Sequence, residues 1–215
     1  MNRIQANVRM LWADYRLSYL IFWAVLITIF ALIVFFSIFV FDTEETVYIG
    51  SGMSAVWVYF FIAGTLQLAG TFRFALGLSV TRREYFASTV MFWLLMTAGT
   101  GVIQMVGYLL ERTFFQHIEG LKSYFFVMFA NMTVWDAFLT GFAVPLFFVS
   151  LGLLASSGTY RIGHVAWIAS IGVVLLAVMT IHLLELWDDV WRLLQQIETV
   201  GEAALWLVIG SAIFF

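Results

Sequence analysis

Residues 72–88 read FRFALGLSVTRREYFAS. Three arginines, Arg73, Arg82 and Arg83, fall in this short internal segment, among apolar residues at helix-like spacing. Apolar runs long enough to cross a bilayer lie on both sides of it. A cationic amphipathic segment between two spans belongs at the cytoplasmic surface, because inner loops carry the excess of Lys and Arg. The segment therefore predicts a polytopic membrane protein and indicates which side is inside. It is also the place where a soluble partner could reach the chain.

Composition agrees. Of 215 residues, 63% are hydrophobic and 11% charged, and mean hydropathy is +1.00. A soluble domain is nearer half apolar and about a quarter charged. An aromatic share of 19%, with 23 Phe, suits lipid-facing helices and interfacial belts. With no cysteine, disulfides and thiolate chemistry are excluded. The formal net charge of -3 matters less than where the charges fall. A polar arm precedes the first apolar run and no small-residue cleavage site follows it, so no cleaved signal is expected.

Taken in order, residues 1–17 place Ile4, Val8, Leu11 and Trp12 among Arg3, Arg9 and Arg16, which predicts a helix lying in the membrane interface. Residues 18–41 form an uncharged apolar run, the first span, and an acidic turn beginning at Asp42 follows. The second span is 52–71, and the arginine-rich segment 72–88 leads into the third, 89–110. Gly99, Gly101 and Gly107 on that span are places where a neighbouring helix could approach closely. Residues 111–132 mix charge (Glu111, Arg112, Glu119, Lys122) with an apolar patch from Tyr124 to Ala130. Extension of the flanking helices and a surface position both fit. The fourth span is 134–155, with Asp136 at its head as an interfacial cap and Pro145 predicting a kink. After a polar turn with Arg161, 164–184 is the fifth span and 185–202 an amphipathic outer helix whose apolar face carries Leu186, Val190, Leu193, Leu194 and Ile197. Residues 203–215 begin a sixth span that at about 1.5 Å per residue falls short of a roughly 30 Å core, so the native chain is expected to run on.

With the amino terminus inside, the inner segments hold Arg3, Arg9, Arg16, Arg73, Arg82, Arg83 and Arg161, and the outer ones only Arg112, Lys122 and Arg192. Seven against three satisfies the positive-inside rule. The acids run the other way, with only Asp14 and Glu84 of thirteen inside.

Ion-coupled transport needs ionisable groups at mid-membrane, and spans one, two, three and five have no charged residue in their cores. Gln67, Gln104 and His182 are expected to make helix–helix hydrogen bonds rather than a transport site. The three histidines, His117, His164 and His182, lack ligand spacing with carboxylates, so no metal site is expected. No glycine-rich loop followed by Lys-Ser/Thr is present, so the chain is expected to bind no nucleotide itself, and no catalytic residue is expected. No nucleic acid is expected as a partner.

Gly77-Leu78-Ser79-Val80-Thr81-Arg82-Arg83-Glu84-Tyr85-Phe86 resembles the inner-loop signature of type-2 ABC (ATP-binding-cassette) exporter permeases, a G-x-S/T-R-R/K-x-x-Y/F stretch between spans two and three. The order of parts is similar too. The resemblance implies an all-α fold of six transmembrane helices, with 1–17 as the connecting helix and 72–83 as the coupling helix. Arg73, Leu76, Gly77, Leu78, Arg82, Arg83, Glu84 and Tyr85 would then meet a separate ATPase subunit, which holds ATP and Mg. Residues 185–202 would lid the path, with Leu186, Val190, Leu193 and Leu194 as an outer gate. A second permease chain, of the same or a related kind, would complete the pathway in a bacterial plasma membrane. The compact form resembles permeases that move amphipathic peptides or lipid-like substrates. The small outer loops and the incomplete sixth span depart from the pattern. A non-transporting sensor or scaffold that docks another cytosolic partner is the alternative, and an ion-coupled transporter acting through Asp136 is a third reading.

Overall fold

No glycine or proline interrupts the first 41 residues, and in the computed structural model helix α1 runs unbroken over Arg3–Phe39. The structure describes residues 3–39, 47–49, 52–72, 75, 77, 80–114, 121–123, 125–126, 132–162 and 206–211. After α1 come strand β1 (Val47–Ile49), helix α2 (Met53–Gln67) and a π-helical turn over Leu68–Phe72. Helix α3 (Arg82–Phe114), strand β2 (Leu121–Ser123) and helix α4 (Val134–Ile162) follow. Residues 206–211 are also helical.

Among the described residues four helices are long and apolar enough to cross a membrane, which is compatible with a membrane location. They alternate in direction. Tyr15 of α1 packs on Phe92 and Trp93 of α3, and Tyr19 bonds Thr100 farther along, so α1 and α3 run the same way. Tyr15 also reaches back to the Ala63 carbonyl while Phe22 stacks on Tyr59, so α2 runs against α1. Gln104 bonds Thr140 and Tyr108 bonds the Met132 carbonyl, which sets α4 against α3.

Helix α4 fits against both α2 and α3, and glycine is what brings the backbones together. A Cβ on Gly152 would strike the Phe61 carbonyl of α2, and one on Gly141 would lie 2.9 Å from the Cα of Gly101 on α3. Small residues at such crossings let helices pack by close van der Waals contact where lipid removes the usual hydrophobic drive. Helix α1 is the opposite case, with most of its apolar surface exposed, as suits a lipid-facing helix.

The helical frame agrees with the sequence, with four differences. Of the leader, residues 3–17 are not a helix separate from the first span: they are the first part of α1 and pack along α3, burying Leu11. Nothing in that stretch could stop the helix. Likewise Arg82–Ser88 is not a segment set apart from the third span but the first turns of α3. Helix α4 continues past Ala155 through the expected polar turn and carries Pro145 within it, buried. Finally, β1 and β2 pair in parallel, Val47 opposite Leu121 and Ile49 opposite Ser123, a two-strand tie that hydropathy did not foretell. Of the expected glycine contacts, Gly101 meets a helix, Gly107 meets a phenyl ring, and Gly99 has only the Tyr19 hydroxyl nearby. The fifth span, the outer helix 185–202 and most of 203–215 lie outside the described residues.

Candidate functional site

Helix α3 starts with a complete capping box. Thr81 is the cap: its Oγ1 accepts from the Glu84 N–H at 3.2 Å, and Glu84 Oε2 accepts from the Thr81 N–H at 3.0 Å. The Thr81 hydroxyl also donates to Oε2 at 2.9 Å. This T-x-x-E arrangement satisfies orphan donors at the helix start from both sides. Those bonds hold the Glu84 carboxyl, which precedes the apolar part of α3 that begins at Thr89, below its usual range. Arg3 adds a contact at 3.9 Å, bringing the head of α1 to the head of α3.

Arg82 and Arg83, on the turn between cap and Glu84, are exposed. Tyr85, one residue farther on, is only 3% exposed. Its hydroxyl lies 2.6 Å from Thr71 Oγ1, and its ring meets Phe72 edge-on. Both partners belong to the π-helical turn that ends α2. The π turn sets Thr71 against α3.

The contact continues inward. Gln67 is 0% exposed; its amide donates to Thr89 Oγ1 at 3.0 Å, while its carbonyl oxygen accepts from the Trp93 indole N–H. The side chain is thus satisfied on both ends by α3, as the sequence implied for a helix–helix hydrogen bond. Gln104 also makes a helix–helix bond, its amide donating to Thr140 Oγ1 of α4 at 3.1 Å. Thr133 and Asp136 repeat the capping box at the head of α4, with Asp136 Oδ2 accepting from the Thr133 N–H at 2.8 Å. Asp136 is therefore part of the cap of α4, with its Oδ2 accepting from the Thr133 backbone and hydroxyl.

Of the residues singled out for coupling, the structure brings Arg82, Arg83, Glu84 and Tyr85 onto one helix start, with Gly77 exposed in the preceding segment and no side chain against it. Arg73, Leu76 and Leu78, the outer-gate residues Leu186, Val190, Leu193 and Leu194, and all three histidines lie outside the described residues. No group of three or more His, Cys, Asp or Glu that could hold a metal ion occurs among the described residues. What sequence reasoning missed is the link behind the arginines, Tyr85 with Thr71 and Gln67 with Thr89 and Trp93. Gln67 was visible as a lone amide in an apolar run; its partners were not.

Comparison with family models, curated proteins and solved structures finds no match to this chain.

Proposed function

We propose that this chain is the membrane-spanning permease subunit of an ATP-driven exporter of the ATP-binding-cassette class, moving an amphipathic peptide or lipid-like substrate across or out of the membrane. The observation that carries the reading is the head of α3, where two exposed arginines stand on the same turns as a buried tyrosine tied to the end of α2. A partner that grips Arg82 and Arg83 moves Tyr85 with them. Through Thr71, and through Gln67 with Thr89 and Trp93, the displacement passes into α2 and α3 together. That is what a transport subunit needs from its surface if it hydrolyses no nucleotide itself.

In this reading the arginine end of the bundle faces the cytoplasm of a bacterial cell, and a separate ATPase subunit binds there with its ATP and Mg. A second permease chain, like or related, completes the pathway. The few charges within the spans suit an amphiphile better than an ion. A scaffold that docks some other cytosolic protein uses the same exposed arginines and differs only in the partner.

The test is a detergent pull-down of the chain from its native host with ATPase activity assayed on the eluate. A stoichiometric nucleotide-binding subunit that is lost from the Arg82→Ala, Arg83→Ala double variant supports the exporter. An eluate free of ATPase, with another protein retained through the arginines, replaces it with the scaffold.

A further inference from the structure

At the end of the bundle away from Arg82, Glu111 is buried within α3, only 4% exposed. Its two carboxylate oxygens accept two consecutive backbone N–H groups, Oε1 from Phe125 at 2.8 Å and Oε2 from Phe126 at 3.0 Å. The two rings are buried on glycine. A Cβ on Gly52 would strike the Phe125 ring, and a Cβ on Gly107 would lie 2.6 Å from that of Phe126. Phe30 of α1 closes the third side, its centroid 4.5 Å from Phe125 and 5.6 Å from Phe126. The pair thus fills the place where α1, the head of α2 and the far part of α3 converge.

We propose that Phe125 and Phe126 form a releasable plug in that groove, with Glu111 as the latch that holds it. Three features make the attachment separable from the helix bundle. Among the described residues the remaining hydrogen bonds are single ones, from the Gly52 N–H to the Phe125 carbonyl at 3.2 Å and from the Gln104 amide to the Phe126 carbonyl at 3.4 Å. The neighbouring β1–β2 pair is two strands of three residues each, and two-stranded pairings of that size are marginal in water. The seats themselves are glycines, which offer a flat floor and no interlocking side chain. A buried carboxylate is also a two-way device. It binds backbone donors strongly while water is excluded, and it favours water once water arrives, because burial of a charge is tolerated only with its hydrogen bonds made. Opening uncovers Phe30, Gly107 and Gln104 beside that carboxylate, a groove with one polar corner. The inference stands apart from the exporter reading, since it concerns the opposite end of the molecule and needs no ATPase.

The chain has no cysteine, so a thiol placed at Phe126→Cys reports the plug alone. The full-length protein in nanodiscs is treated with a water-soluble, charged maleimide, and modification is followed by mass spectrometry. Slow labelling that rises at least tenfold when Glu111→Gln is added is the expected result. Thr97→Cys, at a fully buried position in the middle of α3, must stay inert in the same Glu111→Gln background. Equal labelling with and without Glu111→Gln overturns the latch. Labelling of Thr97→Cys to the same extent also overturns it, because Glu111 then holds the whole bundle and not a plug. If Glu111→Gln fails to accumulate, hydrogen exchange on the unaltered chain decides. Amides of 125 and 126 that open faster than those of 97–108 support the plug, and equal protection overturns it.

Discussion

The phenol of Tyr85 lies 2.6 Å from the hydroxyl of Thr71, and this bond joins the exposed head of α3 to the π-helical turn that follows α2. Tyr85→Phe keeps the ring against Phe72 and loses only the bond, so it is expected to cost about 1 kcal/mol. Tyr85→Ala removes the ring as well and is expected to cost about 3 kcal/mol or more. Unfolding in mixed micelles, followed by circular dichroism, measures both; equal costs for the two would mean that the ring contributes nothing.

Arg82→Ala and Arg83→Ala should behave differently. Both side chains are exposed and take no part in the Thr81–Glu84 bonds that cap the helix, and surface substitutions that leave such features intact stay within about 0.5 kcal/mol. The double variant is expected to melt like the parent chain while losing the ATPase subunit proposed to bind there. A large drop in melting temperature would place the arginines in the fold and not on a docking surface.

The cap beside them is a stability feature. Thr81→Ala removes the acceptor for the Glu84 N–H and one donor to its carboxylate, and is expected to cost about 1 kcal/mol. Thr81→Ser keeps the hydroxyl and should recover most of it. Thermal melts of the two variants side by side make the comparison.

Glycine substitutions should separate by position. Gly152→Ala drives a methyl group into the backbone of α2 and is expected to cost about 1–3 kcal/mol. Gly77→Ala meets open space and should leave stability close to that of the parent. The same melts read both, and equal effects would contradict the close approach of α2 and α4.

Much of the frame was legible because it rests on single segments. Apolar length marks a span wherever it ends up, and the Asp136 position carries its capping chemistry locally; T-R-R-E does so too, but it was read for its arginines and not as a cap. Gln67 and Gln104 stood out because an amide in an apolar run must find a partner. What stayed hidden depends on two segments at once. The continuity of α1 was missed because the arginines drew attention to amphipathic character, while the absence of glycine and proline was the better signal. The Glu111 bonds to Phe125 and Phe126 had no signal, since nothing in a lone carboxylate announces backbone donors fourteen and fifteen residues away. The β1–β2 pairing joins the α1–α2 and α3–α4 connections and was equally invisible.

Helix α1 touches Glu84 with Arg3 and the aromatic pair with Phe30. The two contacts are 27 residues apart, about 40 Å of unbroken helix. A rod without a joint fixes rotational phase as well as length. One residue inserted between Leu17 and Val25 would turn everything beyond it by about 100°. Arg3 could then keep its place only if Phe30 swung off the phenylalanines, and Phe30 only if Arg3 left Glu84. The two ends of the molecule are therefore clocked to each other by the residue count of a single helix.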